Sequence, residues 1–216
     1  MQTILFLHGW GGDEWSFAPI LPAFENFYNC ITISLPMDTP DSVWKLDDYA
    51  DFVFLELDRR NITKCHLIAH SFGCRVALTM LNKNPDIFMR MVLTGAAAIP
   101  RRRNLWRWLR IKLHKTGVWR GRGSSDYRKL SQSGKLTFQN IIRADLRPLI
   151  KKFDIPTLLI YGSRDTATPL YMAKRWTRIA PNAKLLTYKG TGHFCYVTSP
   201  ARFISDALEF LKGADT

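Results

Sequence analysis

The sequence predicts an α/β protein: a mostly parallel sheet of about six strands flanked by helices, interrupted once by a basic helical cap. Three observations carry this expectation. Short apolar runs of strand-like composition recur along the chain. Helix-like segments separate them. That rhythm stops only between about residues 100 and 150. Continuous apolar runs fit strands buried on both faces of a parallel sheet, and strand–helix alternation is the signature of that class.

The strand-like runs, in order, are TILFLHG (3–9), CITISLP (30–36), CHLIAHS (65–71), MVLTGAA (91–97), PTLLIYGS (156–163) and AKLLTYKG (183–190). Each ends in a turn or a polar residue. The segment 46–60 carries Tyr49, Phe52, Val53 and Leu57 at helical spacing, with acids early and arginines late, as the helix dipole favours. The stretch 75–84 stops before Pro85, 169–180 opens on Pro169, and 201–213 closes on Gly213. Residues 100–150 read as a helix over 102–115, a Gly/Ser-rich loop at 121–125 and a second helix over 137–150. The expected division is a core of residues 1–99 and 151–216, with 100–150 as a cap over the carboxyl edge of the sheet.

Composition bounds the function. The chain has 216 residues, 46% hydrophobic and 23% charged, enough for one domain with a proper core. No apolar run reaches membrane-spanning length, and the start has neither a basic n-region nor a cleavage site, so it does not read as a signal peptide. Cys30, Cys65, Cys74 and Cys195 match no zinc or CxxC spacing; reduced thiols and a cytoplasmic location are the expectation. The net charge of +13 is concentrated. Residues 101–152 hold 16 Lys/Arg against 2 Asp/Glu, and the rest of the chain is close to neutral. Such asymmetry asks for an anionic partner.

The chemistry-bearing residues follow the strands. AHSFG is a variant of G-x-S-x-G, with Ala69 in the first glycine place, and puts Ser71 at a strand-to-helix turn. That turn exposes the hydroxyl and aims a helix N-terminus at it. The competing reading of Ser71 is a plain helix cap. A serine nucleophile needs a base. His193, in the glycine-bearing loop after the last strand, suits that role better than His66, His70 or His114; His70 adjoins the serine and is expected to point away from it. Asp165, just past the fifth strand, would orient the base, giving the order Ser71, Asp165, His193. Its competing reading is a cap before Pro169. After the first strand, HGWGG lets the backbone approach a ligand. The backbone N–H groups of Trp10 and Phe72 would form an oxyanion hole, with His8, Gly9 and Gly11 supporting the loop.

With HGWGG, HSFG, LTGAA, GSRDTATP and GTGHF in this order, the chain resembles an α/β-hydrolase-fold serine hydrolase, and within that superfamily small bacterial carboxylesterases of the pimeloyl-acyl-carrier-protein methyl ester esterase type. The resemblance implies an α/β-hydrolase fold and cleavage of carboxylic esters or thioesters through an acyl-enzyme on Ser71. It implies no metal or organic cofactor. Serine in the nucleophile place argues against dehalogenases and epoxide hydrolases of this fold, which use aspartate. Three departures stand out. The chain begins at the strand before the HG loop, where typical members carry an upstream β-hairpin, so either this is a minimal version or the true start lies upstream. LPMDTP replaces a Pro-Gly-x-Gly turn. Ala69 and Cys74 replace glycines.

The basic cap has three readings: a solvated cationic face, attraction of an anionic substrate or acidic carrier protein, or peripheral contact with an anionic membrane. The alternative function is a protein that binds an anionic ligand, a lipid surface or nucleic acid over a relic triad. No nucleic-acid motif supports the last of these.

Overall fold

The computed structural model describes residues 1–39, 41–100, 125–180 and 182–213. Six strands form one sheet: β1 (Thr3–Leu7), β2 (Asn29–Ile33), β3 (Cys65–His70), β4 (Phe88–Thr94), β5 (Thr157–Gly162) and β6 (Ala183–Tyr188). All five pairings are parallel, in the order β2-β1-β3-β4-β5-β6. The predicted strands are all present. The fourth starts and ends about three residues earlier than its apolar run, because Gly95 turns to φ +53° and ends the extended backbone.

The order of the strands decides where a ligand site can lie. From β1 the chain moves outward to β2, crosses back to β3 on the other side of β1, and then proceeds through β4, β5 and β6. The connections leave β1 and β3 in opposite senses, which opens a crevice at their carboxyl ends. Leu7 pairs with Ala69 there, so the HG loop and Ser71 emerge side by side.

Both faces of the sheet are covered, and this is why the strands read as unbroken apolar runs. On β1, Leu5 and Leu7 face one core while Ile4 and Phe6 face the other, as the period of two requires. The first core packs under α2 (Leu46–Asp58), α3 (Phe72–Lys83) and α7 (Tyr171–Ile179). The second packs under α1 (Leu21–Glu25), α8 (Cys195–Thr198) and α9 (Pro200–Lys212). Residues such as Leu5, Ile68 and Phe203 are fully buried, each contributing about 1.5–3 kcal/mol. Among the described residues no helix is long and apolar enough to cross a membrane. The four cysteines are unpaired.

Among the described residues, three helices lie between β4 and β5: α4 (Ser125–Lys129), α5 (Gln132–Arg143) and α6 (Arg147–Lys152). The single helix expected over 137–150 is therefore two. Ala144 is extended, and Pro148 sits in the first turn of α6, where its missing N–H costs nothing; inside one continuous helix it would break the ladder. The helix and loop expected over 102–115 and 121–125 fall outside the described residues, except for Ser125, which opens α4.

Three contacts fasten these helices to the core. The Asp38 carboxylate, from the LPMD loop after β2, accepts from Ser131 N at 3.0 Å and Ser131 Oγ at 2.5 Å. Trp44 N donates to Thr137 Oγ1. Arg75, buried in α3, donates to Ala97 O and Ala144 O, each at 2.5 Å.

Candidate active site

Ser71 stands where β3 ends and α3 begins. Its backbone takes φ +49° and ψ −103°, a conformation that L residues rarely adopt. The surrounding hydrogen bonds impose it: Ser71 N donates to Thr94 O on the neighbouring strand, and Ser71 O accepts from Ala97 N. The simple capping role is not what the structure shows, since the Ser71 side chain makes no capping hydrogen bond. It has no hydrogen bond to His193 either, among the described residues.

The helix can start this close to β1 because residue 73 is glycine. Gly73 N donates to His8 O at 3.1 Å, and a Cβ at this position would lie 2.3 Å from Leu7 O. That close approach orients α3 so that the N–H of Phe72 lies beside the HG loop. Neither Phe72 N–H nor Trp10 N–H has an acceptor among the described residues. Two unpaired donors at a helix N-terminus and the adjoining loop are suited to hold an anion.

The HG loop is held from below by His8. Its Nδ1 lies 2.8 Å from Gly9 O, and Leu35 N donates to its Nε2 at 2.8 Å. The acceptor role of Nε2 assigns the proton to Nδ1, and burial lowers the ring's pKa, so the imidazole is neutral. His8 thus ties the loop after β1 to the loop after β2. Gly12 N closes a turn onto Gly9 O, with Gly11 at φ +79°. Trp10 packs on Phe72 and on Phe138 of α5, with ring centroids at 5.4 and 4.9 Å, so α5 touches this loop directly.

Asp165 and His193 come together from the loops after β5 and β6. His193 Nδ1 lies 2.7 Å from Asp165 Oδ2, and the aspartate is 5% exposed. Asp165 makes contacts of two kinds. Its Oδ1 accepts from Ala167 N and Thr168 N at 2.8 Å, a turn-forming role, while Oδ2 accepts from Thr168 Oγ1 at 2.6 Å and faces His193. Burial pushes the carboxyl's pKa up, but these hydrogen bonds outweigh it and hold the group below its ordinary value. His193 rests against Gly95 at the end of β4, where a Cβ would lie 2.8 Å from its Cε1. Since β4 pairs with β3, the His193 ring and Ser71 occupy adjacent strand ends.

One residue near this pair, Thr168, was not singled out by sequence. Thr168, 4% exposed, touches both Asp165 and His193; the DTAT stretch, with a hydroxyl three residues after an aspartate, is its only signal. His70 was expected to point away from the serine. Its ring packs under His193 with centroids 4.6 Å apart, and also against Phe194 and Tyr196. Burial, and then the neighbouring His193, push its pKa down to about 3, so it is neutral and unsuited to act as a base. His66 is a buried strand residue beside Gln2 and Tyr28, remote from the crevice. His114 lies outside the described residues.

Comparison with known proteins agrees with this fold. An uncharacterized hydrolase of Bacillus subtilis, YugF, is 23% identical over 98% of this chain and 90% of its own length. A pimeloyl-acyl-carrier-protein methyl ester esterase of Neisseria meningitidis is 22% identical over 99% of this chain and 94% of its own. The crystal structure of a bromoperoxidase from Bacillus anthracis superposes with a TM-score of 0.79 at 20% identity, covering 98% of this chain and 92% of that one. Residues 4–207 match the model of the alpha/beta hydrolase family, and the chain belongs to that family.

Proposed function

We propose that the chain is a serine hydrolase that cleaves carboxylic esters or thioesters through an acyl-enzyme on Ser71. One observation carries the reading: the 2.7 Å Asp165–His193 pair stands on strand ends adjacent to a serine held in a strained turn. With Nδ1 engaged by the carboxylate, His193 keeps Nε2 free to take the Ser71 proton as the oxygen attacks an acyl carbon. Asp165 fixes the tautomer and stabilises the imidazolium. The Trp10 and Phe72 N–H groups receive the developing oxyanion. His193 then protonates the leaving group, and water releases the acid. The missing Ser71–His193 hydrogen bond fits this account, because such contacts are often loose before substrate binds.

The esterase named among the relatives acts on an acyl group held by a carrier protein. Together with the excess positive charge between residues 101 and 152, this supports an anionic acyl ester, free or carried on an acidic protein, as the substrate class. The relic-triad alternative, a binder of anionic ligand, lipid surface or nucleic acid, draws no support from the site.

The test is labelling with a fluorophosphonate and hydrolysis of a p-nitrophenyl ester series, at low and high salt, with one anionic ester included. Ser71→Ala is expected to lose labelling and about 10⁴-fold or more of the rate while remaining folded. Labelling that persists in Ser71→Ala would sink the proposal. A salt effect confined to the anionic ester assigns the basic segment a steering role, and its absence removes that role.

A further inference from the structure

Asp165 is engaged by more donors than a turn needs. Thr168 contributes two of them, one to each carboxylate oxygen: its N–H to Oδ1 at 2.8 Å and its hydroxyl to Oδ2 at 2.6 Å. The carboxylate plane is therefore clamped and cannot rotate away from His193. Having given its proton to Oδ2, the Thr168 oxygen turns its lone pairs outward, and it lies 3.2 Å from His193 Nδ1. Asp165 Oδ2, at 2.7 Å, is much the nearer acceptor for the Nδ1 proton, and the carboxylate dominates its energetics. Thr168 and Asp165 are both nearly inaccessible, so water cannot replace the hydroxyl. A β-branched side chain adds stiffness at χ1, and Pro169 behind it restricts the backbone.

We propose that Thr168 is a positioning residue that fixes the Asp165–His193 pair and limits how strongly the carboxylate favours the protonated imidazole. The inference rests on the reading of His193 as the base. Its physical basis is competition. The Oδ2 oxygen shares its charge between the Thr168 hydroxyl and the imidazole, so removing the hydroxyl leaves that oxygen to His193 alone. The imidazolium is then held more tightly, and the base is protonated at a higher pH.

The groups that face the pair do not obscure this effect. From the end of β3 comes His70, neutral because burial pushes its pKa down to about 3. From β5 comes Tyr161, raised well above its ordinary value by burial. From the start of α8 comes the Cys195 thiol, also raised by burial. His8 braces the neighbouring loop in its neutral form. His193 is the only partner with which Asp165 makes an ion pair among the described residues.

The experiment compares the full chain with Thr168→Val, which keeps shape and the backbone donor but loses the hydroxyl, and with Thr168→Ser, which keeps the hydroxyl. Two readouts are taken: the titration of His193 followed by NMR on histidine-labelled protein, and the pH profile of kcat/KM on a p-nitrophenyl ester. In Thr168→Val the His193 midpoint and the acidic limb are expected to rise together, by roughly half a unit to one unit. The kcat is expected to fall about tenfold with KM little changed, and Thr168→Ser is expected to restore both. A Thr168→Val variant that loses stability but keeps the parent midpoint and profile overturns the proposal, because it shows a turn-forming role alone. If Thr168→Val does not fold, Thr168→Ser and Thr168→Ala carry the comparison, and equal midpoints in those two overturn it as well. A raised midpoint in a chain that hydrolyses no ester upholds the clamp and removes the serine-hydrolase reading instead.

Discussion

Gly73→Ala is the most demanding test of how the fold produces the site. The added methyl would sit 2.3 Å from Leu7 O, 2.7 Å from Leu7 C and 2.8 Å from Leu7 Cβ. Real Cβ contacts essentially never fall below 3.0 Å, so the first turn of α3 must retreat from β1 by at least about 0.7 Å. Alanine improves helix propensity by about 1 kcal/mol, which pulls the other way. The clash is with the backbone of a central strand, which cannot swing aside, so overpacking of about 1–3 kcal/mol applies at its upper end. Stretching the Gly73 N–His8 O bond adds up to about 1 kcal/mol. The net expectation is a loss of about 2–3 kcal/mol in urea unfolding. The effect on rate is larger, because the shift moves both Ser71 and the Phe72 N–H relative to the HG loop; a displacement near 1 Å costs about 100-fold in kcat/KM. The assay is p-nitrophenyl ester hydrolysis on the folded variant, checked by its unfolding midpoint. A variant as stable and as active as the parent would show that helix and strand are not pressed together here, and the account of the turn would fail.

Two further predictions follow from buried charge. Arg75 carries two bonds to Ala97 O and Ala144 O, keeps a buried Nε without a partner, and has no carboxylate at ion-pair distance among the described residues. Burial lowers its pKa to about 10, so it is still charged near neutrality. Arg75→Met removes charge-assisted bonds of about 1.5–3 kcal/mol each and recovers part of the desolvation cost; a net loss of about 1–3 kcal/mol is expected, with faster amide exchange in α5 than in β5. Unchanged exchange in α5 would refute the stapling role. The second concerns Asp165, whose folded pKa lies below its ordinary value because hydrogen bonds from His193 and Thr168 outweigh burial. Its stabilising contribution is in place above the unfolded value and is lost as pH falls through the folded one. Urea midpoints measured from about pH 5 down to about pH 3 should fall more steeply in the parent than in Asp165→Asn, and parallel curves would contradict this.

What the sequence made legible divides along physical lines. Strands buried on both faces are continuous apolar runs, so all six could be found, and the residues just past their carboxyl ends could be read as loop chemistry. That is why Ser71, Asp165, His193 and His8 stand out in the sequence. Short helices such as Leu21–Glu25 and Cys195–Thr198 span too few residues to show a period. The break between α5 and α6 was hidden because apolar spacing continues across it, although Pro148 stood in the middle. Thr168, and the packing of His70 on His193, were not legible for a different reason. Their importance lies in what they touch, and contacts between a β5 loop, a β6 loop and the end of β3 have no trace in local spacing. Long-range contact also explains why LPMD, which reads as a departure from its relatives, sits at a junction: Leu35 N is held by His8, Gly11 N lies 3.1 Å from Met37 Sδ, and Asp38 accepts from Ser131, the N-cap of α5. This loop therefore joins the HG loop to α5.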